Sequence, residues 1–252
     1  MGVLRWCDGR APAQARAGGA VVAVALFGLA ACGGTGTGTP AGGSTSTLPQ
    51  TTATSPAPTL HARDYVVTEG AETTGLVRDT STDTSPDPKI SESEFASCLG
   101  VPTAEIQDNS IDSADGPDLM SPDELAHVGS SADIDRPGDV ARDAVILRRP
   151  QAPTCIGRLF LRGLEQEASS NGERVTLDST LALPGLSGAT QAVRMAITVA
   201  ANGGKIHITF DIIFIWSDRV ESTIVLGQIN GVPDRTREQN VISQVAAKVA
   251  RQ

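Results

Sequence analysis

Val193-Arg-Met-Ala-Ile-Thr-Val-Ala-Ala-Asn-Gly-Gly-Lys-Ile-His-Ile-Thr-Phe-Asp-Ile-Ile-Phe-Ile-Trp216 is the stretch that decides the fold. Asn-Gly between two alternating apolar runs is the strongest short-range signal for a β-hairpin. A two-residue Asn202-Gly203 loop sets Val199, Ile197, Met195 and Val193 opposite Ile206, Ile208, Phe210 and Ile212. A shift of one residue would mix the two faces, so the pattern predicts this register.

The same register places Arg194 opposite Asp211 and Thr198 opposite His207 on the other face of the hairpin. This face is either an exposed sheet surface with one cross-strand ion pair or a surface that contacts a ligand or partner through Arg194, His207 and Asp211. Ile213 and Ile215 on this face are too apolar for plain exposure. We expect them to be covered by the acidic segment 103–135, by another protein or by a ligand.

Further strands are expected on both sides of the hairpin. Val220, Ser222, Ile224 and Leu226 alternate as the next strand, and matching its apolar face to the hairpin requires an odd loop of three residues, 217–219. Before the hairpin, one face of a strand is expected to carry Val175, Leu177, Leu181 and Leu183.

Helices are predicted where apolar residues recur three to four positions apart and a cap precedes them. The predicted helices begin after Ser91, near Val140, at Thr154 (through about Ala168) and at Thr236, where Gln239 completes a capping box. The fold class is therefore α+β: an antiparallel meander of about four or five strands with helices packed on one face. We place this single domain at residues 89–252.

Segment 103–135 is rich in Asp, Ser, Gly and Pro. With Gly116 at the sixth position of a calcium loop, the first and twelfth positions are Ile111 and Pro122, which cannot bind the ion. A solvated acidic loop is the better interpretation.

Residues 1–31 are typical of a secretory signal peptide, since three Arg precede the apolar run 17–31 and small residues end it. A run of this length is too short to span a bilayer. Residues 32–88 are mostly Gly, Thr, Ser and Pro in their first half, which predicts a disordered tether. Its composition fits O-glycosylation, and within it 61–67 could form a short edge strand.

Leu29-Ala30-Ala31-Cys32 resembles the lipobox of bacterial lipoproteins. The resemblance implies cleavage before Cys32, lipid on its sulfur, and an extracytoplasmic protein anchored to the cell membrane. Cys98 and Cys155 remain as one pair in an oxidising compartment, and a disulfide is the default expectation. A zinc site would need two more ligands, and the three His residues are scattered, so no metal or cofactor is expected.

Charge and motifs restrict the classes of function. The chain has 20 basic and 29 acidic residues, whereas nucleic-acid binding needs a basic surface. Gly185-Leu-Ser187-Gly188 is not a nucleophile elbow, and no His lies in a triad context. We therefore expect a protein that is not an enzyme, with a hydrolase as the least favoured class.

Three features resemble a known family: the lipobox, Cys98 on an opening helix, and Cys155 at a helix start after Pro153, followed by a strand–strand–strand–helix unit. They resemble exported lipoproteins of mycobacteria and other actinobacteria, whose domain is similar to the extracellular sensor of PknH-type receptor kinases. The resemblance covers about residues 90–252. It implies non-catalytic binding or sensing of an envelope lipid, glycan or protein. The alternative is a protein-interaction module without a pocket, and an apolar pocket between helices and sheet would favour binding.

Overall fold

The structure is a computed structural model that describes residues 59–79, 92–106, 109–170, 172–201 and 204–252. The predicted signal peptide, Cys32, much of the predicted tether and the Asn202-Gly203 loop lie outside the described residues. Among the residues described, none of the helices combines the length and apolar character needed to cross a membrane.

One antiparallel sheet of eight strands organises the described chain, which is larger than the four or five strands predicted. The strands are β1 (Val77–Arg78), β2 (Asp112–Asp115), β3 (Leu119–Met120), β4 (Ala126–Ile134), β5 (Arg174–Ala182), β6 (Gln191–Ala201), β7 (Gly204–Ser217) and β8 (Val220–Ile229). Their order is β1-β3-β4-β8-β7-β6-β5, and β2 pairs with β4.

Four α-helices are described: α1 (Glu92–Leu99), α2 (Asp139–Leu147), α3 (Ala152–Ser170) and α4 (Arg235–Val249). The predicted cap of the last helix was wrong. Asp234, not Thr236, is the cap, and its carboxylate accepts a hydrogen bond of 2.8 Å from the backbone N–H of Arg237. Gln239 instead bonds the backbone of Ser187.

The register predicted for the central hairpin is confirmed. Met195 lies opposite Phe210, Arg194 opposite Asp211, and Thr198 opposite His207 in the β6–β7 ladder. Apolar pairing on one face and polar pairing on the other agree on this register, and a slip would break both.

The three-residue loop predicted between β7 and β8 was wrong. Ser217 pairs with Val220, so the turn contains only Asp218 and Arg219, with Asp218 in the left-handed region at φ 50°. As a result Ile224 lies opposite Ile213 rather than on the face of Phe214.

A β-bulge at Asp178 changes the face of the second half of β5. Leu177 pairs with Ile197, but Ser179 already pairs with Ala196, so Asp178 is the extra residue. The prediction that Leu181 shares a face with Val175 was therefore wrong, and Leu181 is 45% exposed.

Helices cover both faces of the sheet, so the prediction of helices on one face was wrong. The face of Met195 and Phe210 packs against α1, α2 and α3, and the ring of Phe160 lies 4.8 Å from that of Phe210. The opposite face, with Ile213 and Ile215, packs against α4. The isoleucines are covered, as expected, but by α4 and residues 62–67 rather than by the acidic segment, another protein or a ligand.

Residues 62–68, here called the N-terminal strap, belong to the folded structure rather than to a disordered tether. Val67 donates its N–H to Ser130 Oγ at 2.8 Å, and Tyr65 O accepts from Ser222 Oγ at 2.9 Å. Lys248 Nζ donates to Val66 O at 2.6 Å. The strap includes a single 3₁₀ turn, Ala62–Tyr65, and not the edge strand that was considered.

Segment 103–135 is not simply a solvated loop. It contains β2, β3 and β4, and β4 is buried almost throughout between β8 and its two short partners. The strand is difficult to recognise in the sequence because it contains a buried polar residue, Ser130, whose hydroxyl group bonds the backbone of the strap rather than water.

The predicted disulfide between Cys98 and Cys155 is confirmed, with a Cα–Cα distance of 5.7 Å. It links α1 to the first turn of α3.

Candidate functional site

A cleft of about 520 Å³ lies between α1 and α3, beside the disulfide. It is lined by Ser93, Glu94, Ser97 and Cys98 from α1 and by Arg158, Leu159 and Arg162 from α3. Its volume falls in the range of about 300–1,000 Å³ typical of small-molecule sites. The Cys98–Cys155 bond fixes the two walls to each other.

The charges in the cleft are unequal. Arg162 Nη1 forms an ion pair with Glu94 Oε1. Arg158 is exposed, and no carboxylate in the described ranges lies within ion-pair distance of it. The cleft therefore carries one formal positive charge in excess, on a chain whose net charge is −9. Such a site can bind an anionic group through a guanidinium fork.

The predicted Arg194–Asp211 pair forms the centre of a second cluster. Arg194 donates from Nε to Asp211 Oδ1 at 2.6 Å and from Nη2 to Oδ2 at 2.5 Å. Glu238 from α4 accepts from Arg194 Nη2 at 3.2 Å and from Arg235 Nη1 at 3.1 Å. The side chains of Asp211 and Glu238 are fully buried, because α4 closes over this part of the sheet.

The environment shifts the pKa values of Glu238 on α4 and of Arg194 on β6. Burial, followed by the hydrogen bond and negative charge of Asp211, raises the pKa of Glu238 to about 7. The hydrogen bond from Arg194 to Asp211 raises the pKa of the guanidinium above its ordinary value. Glu238 therefore keeps its proton up to near-neutral pH.

His207 lies apart from this cluster. It is four residues from Asp211 along β7, about 13 Å in an extended strand. Its side chain is 69% exposed, and Nδ1 lies 3.0 Å from Thr198 Oγ1, which donates to Asp178 Oδ2 at 2.7 Å. The structure thus brings Arg194 and Asp211 together and leaves His207 in a solvated hydrogen-bonded chain. A binding role for these three residues stays a prediction.

Sequence reasoning missed Glu238 and Arg235 in the cluster and Arg158 in the cleft. Glu238 lies one residue before Gln239, to which the sequence pattern assigns the capping role. A buried acid in the first turn of a helix leaves no signal in the periodicity of apolar residues. Within the part of the chain that the structure describes, no group of three His, Cys, Asp or Glu residues is placed to hold a metal ion.

No protein-family model matches the chain, and no curated protein matches it. Several solved chains are weakly similar to it, among them two structures from Mycobacterium tuberculosis. One is the extracellular domain of PknH from Mycobacterium tuberculosis, with 8% identity and a TM-score of 0.32 over 57% of this chain and 66% of that chain, just under two thirds. The other is LpqN, involved in cell envelope biogenesis of Mycobacterium tuberculosis, with 14% identity and a TM-score of 0.29 over 54% of this chain and 69% of that chain. No family is assigned by matches at this level, and no residue role is transferred from them.

Proposed function

We propose that this protein is a lipid-anchored extracytoplasmic binding module, not an enzyme, whose α1–α3 cleft takes a small ligand that carries an anionic group. The observation that supports the proposal is Arg158 in a cleft of about 520 Å³ whose walls are joined by a disulfide. A fixed cleft limits the entropy lost on binding, and an Arg without a carboxylate partner retains its donors for a ligand.

Ligand binding can be tested without knowing the natural ligand. The full-length chain in detergent is titrated with inorganic phosphate, glycerol 3-phosphate and citrate, and amide shifts of α1 and α3 are followed by NMR. We expect saturable shifts at 93–98 and 158–162, and Arg158→Ala should weaken binding by about tenfold, the value of one charge-assisted contact.

Arg174→Ala is the matched control, because Arg174 is also exposed but lies on β5 outside the cleft. It changes the net charge by the same amount and should leave the shifts unaffected. Equal weakening by both variants would show that the anions respond to net charge alone and would contradict the proposed site. A cleft that binds none of the probes would favour the interaction-module alternative.

The lipid anchor is proposed from Leu29-Ala30-Ala31-Cys32 and needs its own test. Cells are labelled with a clickable fatty acid, and the Cys32→Ala chain is compared with the unaltered one. Label should appear only on the unaltered chain, and the variant should keep its signal peptide. Equal labelling of both chains would contradict lipidation at Cys32.

A further inference from the structure

The start of α4 is fastened to the sheet by a buried cluster of charged groups. Asp211 on β7 and Glu238 on α4 are both fully buried, and Arg194 on β6 bonds both of them. Arg235, half exposed at the first position of α4, bonds the second oxygen of Glu238 at 3.1 Å. The helix therefore meets the sheet through two carboxyl groups rather than through apolar contacts alone.

The cluster also reaches a neighbouring loop. Arg235 Nη2 donates to Gly185 O at 2.8 Å, and Gln239 bonds both the N–H and the carbonyl of Ser187. Loop 184–188 is thus held against the first turns of α4 by side chains from α4. Loosening of that turn would weaken these hydrogen bonds to the loop as well.

Four titratable or charged groups face one another here: Arg194 from β6, Asp211 from β7, and Arg235 and Glu238 from α4. Loop 184–188 contributes backbone groups only. When Glu238 is protonated, its carboxyl group donates a hydrogen bond to Asp211. When Glu238 ionises, that bond is lost and a second negative charge is left at a buried site.

The two guanidinium groups do not compensate this loss equally. Arg194 makes two short hydrogen bonds to Asp211 and only one longer bond, of 3.2 Å, to Glu238. The side chain of Arg235 is 50% exposed, so water screens its charge. The ionised Glu238 is therefore drawn toward Arg235 and solvent, away from Asp211.

We propose that the first turns of α4 and loop 184–188 form a latch that is closed while the buried carboxyl group of Glu238 is protonated beside Asp211 and Arg194, and that loosens when Glu238 ionises. The latch controls how firmly α4 covers one face of the sheet. It is independent of the α1–α3 cleft, which lies on the other side of the sheet.

Amide hydrogen exchange of the full-length chain tests the latch. Exchange is measured at about pH 5.5 and about pH 8.5, on either side of the pKa of about 7, and corrected for the intrinsic pH dependence of amide exchange. The opening equilibrium at 236–242 and 185–188 should rise roughly tenfold to thirtyfold at the higher pH. Amides of α3 should change much less.

Glu238→Gln keeps an amide donor toward Asp211 and an oxygen toward the guanidinium groups but does not titrate, so its opening should be the same at both values within about twofold. Glu165→Gln, at an exposed position on α3, is the matched control and should behave as the unaltered chain. The same rise in Glu238→Gln as in the unaltered chain would overturn the proposal. If Glu238→Gln does not fold, NMR titration of the carboxyl carbons of the unaltered chain decides, and a Glu238 midpoint at the ordinary value would also overturn it.

Discussion

Removal of the Cys98–Cys155 disulfide should destabilise the fold by a large and calculable amount. The bond joins residues 57 positions apart, and the chain-entropy model assigns a loop of that length about 4 kcal/mol. The figure is an upper limit, because residual structure in the unfolded chain reduces it. In the folded state α1 also has contacts of its own, so it should stay in place without the bond. Phe95 and Leu99 are buried, and Gln151 and Arg149 donate to the carbonyl of Leu99 at 3.0 and 3.2 Å.

The double variant Cys98→Ala/Cys155→Ala is the perturbation, and urea unfolding of oxidised and reduced chains is the assay. We expect a loss of about 3–4 kcal/mol in the free energy of unfolding, or a melting point lower by roughly 6–16 °C for a chain of this size. Reduction of the unaltered chain should reproduce the loss, and reductant should not change the variant. A variant as stable as the oxidised chain would refute the argument that the bond stabilises the fold by restricting the unfolded chain.

Three further predictions concern other contacts. The pKa of Glu238 is about 7 in the folded protein against an ordinary 4.5, so the folded state binds the proton more tightly than the unfolded state. The free energy of unfolding should therefore fall by up to about 3 kcal/mol as the pH rises from about 4.5 to 7. In urea unfolding, Glu238→Gln should remove most of this dependence on pH. Gly157→Ala places a methyl group 2.3 Å from Thr180 Oγ1, so the free energy of unfolding should drop by about 1–3 kcal/mol, and adding Thr180→Ala should recover most of it. Lys248→Met removes the donor to Val66 O and should cost about 1–3 kcal/mol in the same assay, with faster amide exchange confined to the strap.

The central hairpin could be predicted because two independent signals agree. Asn202-Gly203 sets the loop, and apolar pairing between β6 and β7 sets the register. The next register was not predictable by the same logic. Beyond Asp211 both faces of β7 are apolar, with Ile213 and Ile215 on one face and Phe214 on the other, so matching apolar residues cannot choose between the two. The choice is made by Asp218, whose left-handed backbone allows a two-residue turn.

Other elements were missed because their residues serve a partner far away in the sequence. β4 contains buried Ser130, whose hydroxyl oxygen accepts a hydrogen bond from the backbone N–H of Val67. This hydroxyl group takes the place of an apolar side chain in a strand that the strap covers, so the alternation typical of a strand is interrupted. The strap was assigned to the tether for a related reason. Its backbone forms hydrogen bonds with side chains that are distant in the sequence, and not with a neighbouring strand, so it has no strand pattern.

The register of the Arg194–Asp211 pair was predicted correctly, but the burial of the pair was not. Cross-strand geometry depends only on the two strands, and both ends of that pair were predictable. Exposure depends on what packs above the sheet, and here α4 packs there, with Glu238 bonded to the same guanidinium group.

Because helices cover the sheet on both sides, a ligand of appreciable size has little access to the central strands. The α1–α3 cleft lies outside the sheet, where a short helix is held at one side by a disulfide and Arg158 has no carboxylate partner within the described residues. For this reason the binding site that we propose lies at the edge of the helical layer and not on the sheet face that carries Arg194 and Asp211.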